Sequence, residues 1–165
     1  MQNMYLKLDG IDGESASKQG DKQIEVLSFS HNVTMPVSAG HASGPSVKHG
    51  RCDHSDLTIT KYIDKTTPKL NQFCSGGTNI KTAELTMFRA DKDDGEPTKF
   101  YTISLEDVIV TSIAIGGSGH DSPTETITLH YNKIKWTYIP QKRDAPGGAE
   151  GNVASGWDLE KNTKV

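Results

Sequence analysis

The sequence is poor in the features that usually announce a chemistry or a compartment. Only two cysteines occur in 165 residues, Cys52 and Cys74. They form neither a CxxC pair nor a zinc-ribbon spacing, which excludes the disulfide framework of a small secreted domain and leaves a single bridge open. There is no basic excess: 18 Lys and Arg stand against 21 Asp and Glu, a formal net charge of −3. Nucleic acids and anionic membrane surfaces both require clustered positive charge, so neither is an expected partner. No apolar run approaches the ~18 residues of a membrane-spanning helix. The opening MQNMYLKLDG lacks the basic and apolar regions of a signal peptide. The expectation is synthesis in the cytoplasm and, for any export, a route that reads no N-terminal signal.

Catalytic signatures are missing too. No GxSxG elbow is present, and Gly116-Gly117-Ser118-Gly119 lacks the GK[ST] ending of a phosphate loop, so it reads as a turn. His41, His49, Cys52, Asp53, His54 and Asp56 are metal-ligand types, but their spacing is irregular on a Gly/Ser-rich stretch. A solvated polar loop is the preferred reading, with no metal and no cofactor expected. Asp91, Asp93, Asp94 and Glu96 lack the ligand frame of a calcium loop and read as a charged hairpin tip. His130 alternates with apolar residues on a strand, where an ordinary strand histidine outranks a general base. No catalytic residue is assigned, and the chain is not expected to be an enzyme.

What is present is the period of two that marks strands. Residues 99–115 begin with Tyr101, Ile103 and Leu105 on one face, pause at Glu106-Asp107, and then become apolar on both faces. This predicts a long strand that bends at a corner and is buried on both sides beyond it. Residues 125–139 alternate through Ile127, Leu129 and Tyr131, shift at Asn132-Lys133, and resume at Ile134, Trp136 and Tyr138 until Pro140. Shorter strands fit residues 4–8, 23–31, 56–62 and 80–88, with another around Gly156–Leu159. Residues 66–75 read as a helix: Thr66 or Thr67 can cap it, Pro68 suits its first turn, and Gly76-Gly77 ends it. Leu70, Phe73 and Cys74 share one face, as core residues would. Residues 34–52 show little periodicity; a loop that long inside a compact domain is usually functional or disordered. The length suits one domain, residues 1–165, large enough to bury roughly two-thirds of its unfolded surface. The fold expected is mainly β: a compact antiparallel β-barrel of two sheets with one short α-helix on its side.

Six stretches in order carry a resemblance: residues 5–15, YLKLDGIDGES; 24–32, IEVLSFSHN; 54–70, HSDLTITKYIDKTTPKL; 106–119, EDVIVTSIAIGGSG; 125–141, ETITLHYNKIKWTYIPQ; and 156–162, GWDLEKN. Together the chain resembles the haemolysin-coregulated proteins, the tube subunits of type VI secretion. The resemblance implies homohexameric rings that stack into a tube and carry and protect secreted effectors in the lumen. It further implies a spike protein and a contractile sheath as partners, and delivery outside the cell or into a target cell, with no membrane insertion. The stretch at 34–52 corresponds to the extended loop that packs on the adjacent ring. Its apolar residues Met35, Pro36, Val37 and Val47 are the candidate stacking contacts. The competing hypothesis is a small-molecule- or metal-binding β-barrel outside secretion, or a hydrolase on the same scaffold.

Overall fold

The computed structural model describes residues 3–38, 48–90, 96–140 and 151–165, with the backbone alone at 38, 48 and 49. Strand β1 (Asn3–Leu8) leads into the short strands β2 (Ile24–Glu25), β3 (Ser28–Ser30), β4 (Val33–Thr34) and β5 (Val37–Ser38). The chain returns through β6 (Lys48–His49) and β7 (Asp53–His54) and re-enters the body as β8 (Leu57–Tyr62). After helix α1 (Thr67–Gly76) come β9 (Ile80–Arg89) and β10 (Thr98–Gly116). The last four are β11 (Thr124–His130), β12 (Lys133–Tyr138), β13 (Val153–Asp158) and β14 (Thr163–Lys164).

Two antiparallel sheets face each other, and β10 belongs to both. Its first half lies between β9 and β12 in the sheet β2-β1-β9-β10-β12-β13-β14. Its second half pairs with β11 in the sheet β10-β11-β8-β3. The corner lies at Asp107, a non-glycine residue at φ +53°. Glu106 opposes Lys133 before the corner, and Ile109 opposes His130 after it. Both arms advance three residues, so β10, β11 and β12 form one long hairpin folded over the core with no register slip at the corner itself. The sequence pauses at Glu106-Asp107 and Asn132-Lys133 are the two arms of that fold. Side chains from the two inner faces meet between the sheets: Leu6, Leu85 and Ile103 from one, Leu57, Ile59 and Ile127 from the other. Each large aliphatic chain so buried contributes roughly 1.5–3 kcal/mol.

The mainly β, antiparallel, single-helix expectation holds, but the strands do not close into a continuous barrel. Residues 24–30 change partners part-way. The Val26 amide donates to the Met4 carbonyl, and the next amide, Leu27, donates to Thr60 on the other sheet. The chain bends at Leu27, separating β2 from β3, so the second corner is a crossing rather than a ladder. Two-sided burial beyond Asp107 also fails. Val108 and Val110 are buried, but a bulge between Val110 and Ser112 resets the alternation, and Ile115 is 53% exposed. That end of the hairpin runs past the core.

The helix begins and ends within a residue of its predicted span, although its threonines do not cap it. Thr66 occupies the cap position with no side-chain cap bond. Its amide and hydroxyl instead both donate to Asp64 Oδ1, while the Thr67 hydroxyl donates to Glu125 Oε1 at 3.0 Å. Both carboxylates also hold Lys61, which is fully buried: its Nζ lies 2.5 Å from Glu125 Oε1 and 2.8 Å from Asp64 Oδ1. The third ammonium proton reaches the Tyr62 carbonyl. Burial would push the Asp64 carboxyl up, but bonds from Lys61 and Thr66 outweigh it and hold it below the ordinary range. Its folded pKa is therefore depressed. Asp64 contributes stability at neutral pH that is lost as pH falls through the acid range.

Lys61→Met removes the ammonium and leaves Glu125 buried without a counter-charge. It is expected to cost about 3–5 kcal/mol in urea unfolding, and the double change Lys61→Met, Glu125→Leu to recover much of that loss. A single variant within about 1 kcal/mol of the parent would show that the buried pair is dispensable.

The candidate assembly ribbon and its anchorage

Residues 34–52 were expected to lack regular structure. Their described part instead forms a two-stranded ribbon leaving the edge of the second sheet. Val33 opposes His54 and Thr34 opposes Asp53 in β4–β7; Val37 opposes His49 and Ser38 opposes Lys48 in β5–β6. Between the pairs, the Gly50 amide donates to the Pro36 carbonyl at 3.0 Å. An added Cβ at Gly50 would lie 3.0 Å from the Pro36 ring, so the ribbon is tight there. The pairing escapes a periodicity search because each ladder is only two residues long and Pro36 interrupts it.

The structure brings three of the four candidate stacking residues onto this ribbon. Met35 is 46% exposed, Val37 is 60% exposed, and Pro36 is exposed between them. Val33 adds another exposed apolar side chain at the root. Val47 lies outside the described residues. Exposed apolar side chains in a row on a projecting element mark an interaction surface more often than an isolated exposed leucine does.

The ribbon is fixed to the body by a cluster that sequence reasoning did not assemble. Tyr131, fully buried at the hairpin corner, donates its hydroxyl proton to the Ser55 carbonyl at 2.9 Å. Its oxygen lies 2.6 Å from His31 Nε2, so that nitrogen carries the proton of the bond. Burial, followed by the Asp56 charge, pushes the Tyr131 phenol above its ordinary pKa, keeping it a donor. The His54 ring lies nearly parallel to Trp136 and Trp157, with centroids 6.3 and 6.4 Å away. Close by, His130 Nδ1 lies 2.8 Å from Asp56 Oδ1, and the Thr111 hydroxyl reaches Asp56 Oδ2. The Arg51 guanidinium donates to the Leu159 carbonyl. His130 is thus paired with a carboxylate on the outer sheet face. Cys52 and Cys74 are free thiols. Among the described residues no three His, Cys, Asp or Glu side chains converge as a metal site; His41 and the His49 side chain lie outside them.

The second sheet's outer face is uncharged over most of its area. Ser112, Thr128, Thr58 and Ser30 form one cross-strand row, and Ala114, Thr126, Thr60 and Ser28 form the next. The Asp56–His130 pair lies at one end of this hydroxyl surface. The cleft between the N-terminal loop and residues 62–64 is lined by Glu14, Glu25 and Asp64 among others, but Asp64 is already engaged by Lys61.

The family described as type VI secretion system effector, Hcp, matches residues 5–138. The chain belongs to the Hcp family. It is 34% identical over 165 residues to Protein hcp1 of Pseudomonas aeruginosa, covering 99% of this chain and 98% of the relative. A solved structure of a type six secretion system protein superposes with a TM-score of 0.89 at 31% identity, covering all of both chains. Hcp1 from Salmonella typhimurium follows with a TM-score of 0.80 at 29% identity over 99% of each chain. The six resembling stretches therefore named the right family. Gly10 at φ +78° and Gly13, whose added Cβ would lie 2.2 Å from the Gln23 carbonyl oxygen, explain two glycines of the first stretch.

Tyr131→Phe leaves the Ser55 carbonyl and the His31 N–H without their partner. The expected cost is about 1–3 kcal/mol in denaturant unfolding, with faster amide exchange at residues 33–38 and 50–54 than in β9. Exchange rising equally everywhere would show that the bond stabilises the body and not the ribbon.

Proposed function

We propose that this Hcp-family chain is a structural subunit of the type VI inner tube. Six copies close a ring, rings stack, and the hollow centre carries effectors that travel with the tube. The tube works with a spike protein at its tip and a contractile sheath around it. Leaving the cell inside this assembly needs neither a signal peptide nor insertion into a membrane. The observation that carries this reading is the ribbon: a paired segment tied to the body at its root, with Val33, Met35 and Val37 exposed, in a protein of this family.

Further features support it. β3 and β14 are the outer strands of the sheet path and have unpaired sides among the described residues. Unpaired strand edges favour association with a neighbouring chain. Different edges meeting head to tail give a heterologous contact, which closes into a ring when the rotation allows. A ribbon projecting toward the next ring adds the stacking contact and makes a filament. The uncharged Ser/Thr rows of the second sheet suit a lumen wall, because hydroxyls hydrogen-bond many partners without committing to one charge pattern.

Val37→Asp places a charge at the most exposed apolar position among the described residues of the ribbon. It is expected to leave the fold and the single ring intact and to abolish most stacked tubes. Size exclusion reads the first and negative-stain microscopy the second. Tubes of normal length from the variant would remove the ribbon from the stacking role.

A further inference from the structure

The anchorage contains a device that the tube reading does not require. The protein has only two tryptophans, and both, Trp136 and Trp157, lie against the same histidine. His54 sits on the returning arm of the ribbon and His31 just before the outgoing arm, so both arms are held through imidazoles. The His31 ring centroid is 6.0 Å from that of Tyr131 and 6.1 Å from that of Trp136. His54 Nδ1 is buried and has no hydrogen-bond partner among the described residues.

We propose that His31, His54 and the two tryptophans form a pH-gated latch, docking the ribbon when the imidazoles are neutral and releasing it when both are protonated. The geometry dictates the direction. His31 already spends its Nε2 proton on Tyr131, so a second proton must enter at Nδ1. At His54 a proton entering at Nδ1 meets no acceptor among the described groups, and a buried unpaired charge is costly. The charges facing the cluster do not rescue both rings. Asp53, adjacent on β7, favours a charged His54, but burial outweighs it and holds His54 below its ordinary pKa. Burial first, and then the charge of His54, hold His31 low as well. Asp56 is occupied by His130 and Thr111. From the body, Lys133 is paired with Glu106, and Asp158 accepts the Lys161 amide. Arg51, which reaches the Leu159 carbonyl, adds another positive charge to the ribbon's root.

The folded pKa values lie below the unfolded value near 6.5. Docking is therefore at full strength above that pH and weakens as pH falls from it toward the depressed values. The latch stands on local geometry. Its consequence, that stacked rings loosen in acid, rests on the tube reading.

Tryptophan fluorescence reads the latch directly, because no tryptophan lies elsewhere in the chain. Lowering pH from about 8 to about 5 is expected to change emission in one step and to raise amide exchange at residues 33–38 and 50–54 about tenfold over β9. In the double variant His31→Gln, His54→Phe, both changes should vanish while far-UV circular dichroism stays unchanged. Glutamine keeps a donor for Tyr131, and phenylalanine keeps a flat ring beside the tryptophans. Where the double variant fails to fold, His54→Phe alone decides: the remaining step should move to higher pH, because His31 loses its charged neighbour. A step that persists in the double variant, fails to move in the single one, or occurs without ribbon exchange overturns the latch. None of these readouts depends on tubes, so they test the latch separately from the assembly reading.

Discussion

The structure depends on one ammonium group placed where water cannot reach it. Lys61 stands in an inward row that begins Leu57, Ile59, and its cross-strand neighbour Glu125 stands in an inward row that continues Ile127, Leu129. A buried charge alone is ruinous, and a buried pair is tolerable only when its remaining hydrogen-bond capacity is met. Here Asp64 and the Tyr62 carbonyl complete the bonding of the ammonium and Thr67 gives Glu125 Oε1 a second donor, while Glu125 Oε2 has no partner among the described residues. Those partner groups belong to the last residue of β8, the turn after it and the first residue of α1. The charge pair therefore decides where the helix starts as well as how β8 and β11 register. A one-residue slip would put Lys61 opposite a threonine and leave both charges unpaired. Hydrophobic burial supplies most of the stability, whereas this pair removes the alternatives.

With β8 and β11 fixed, the folded hairpin decides where the ribbon can go. The corner at Asp107 turns β10 from one sheet to the other, and Tyr131 sits opposite on the returning arm. The Tyr131 hydroxyl points at the segment between β7 and β8, so the root of the ribbon is tied to the corner of the folded hairpin. A strand would end there in frayed backbone. The Tyr131–Ser55 bond and the stacking of His54 on β12 and β13 make it a fixed root instead.

Much of this was legible in the residues, for definable reasons. Long strands announce themselves because alternation persists over many residues, as from Tyr101 to Leu105 and from Ile127 to Tyr131. The corner was visible because two polar residues interrupt that alternation at Glu106-Asp107. The helix was visible because Pro68 and Gly77 punctuate it, although its threonines turned out to serve Asp64 and Glu125. The Lys61–Glu125 pair left a trace that periodicity alone passes over: opposite charges at inward positions of two strands. The ribbon left almost none. Its ladders are two residues long, and its partners, Trp136 and Trp157, lie about a hundred residues away in sequence. Contacts between distant, non-periodic positions are set by the tertiary fold. The pattern of one strand does not contain them.

An element that joins copies of a protein has two opposed requirements. Its tip must be exposed and apolar enough to bind a neighbour, and its root must be rigid enough that binding costs little ordering entropy. In the proposed assembly, Val37 and Met35 on the outgoing arm would serve the first requirement as exposed apolar side chains. Tyr131, His31 and His54 serve the second, with aromatic and imidazole groups where aliphatic side chains would suffice for stability. An aliphatic root would hold the ribbon equally at every pH. A root built on two neutral imidazoles holds it only while they remain uncharged, so the choice of side chain makes ribbon stiffness a function of the surroundings. Anchorage and responsiveness then come from the same few atoms, and neither can be altered without the other.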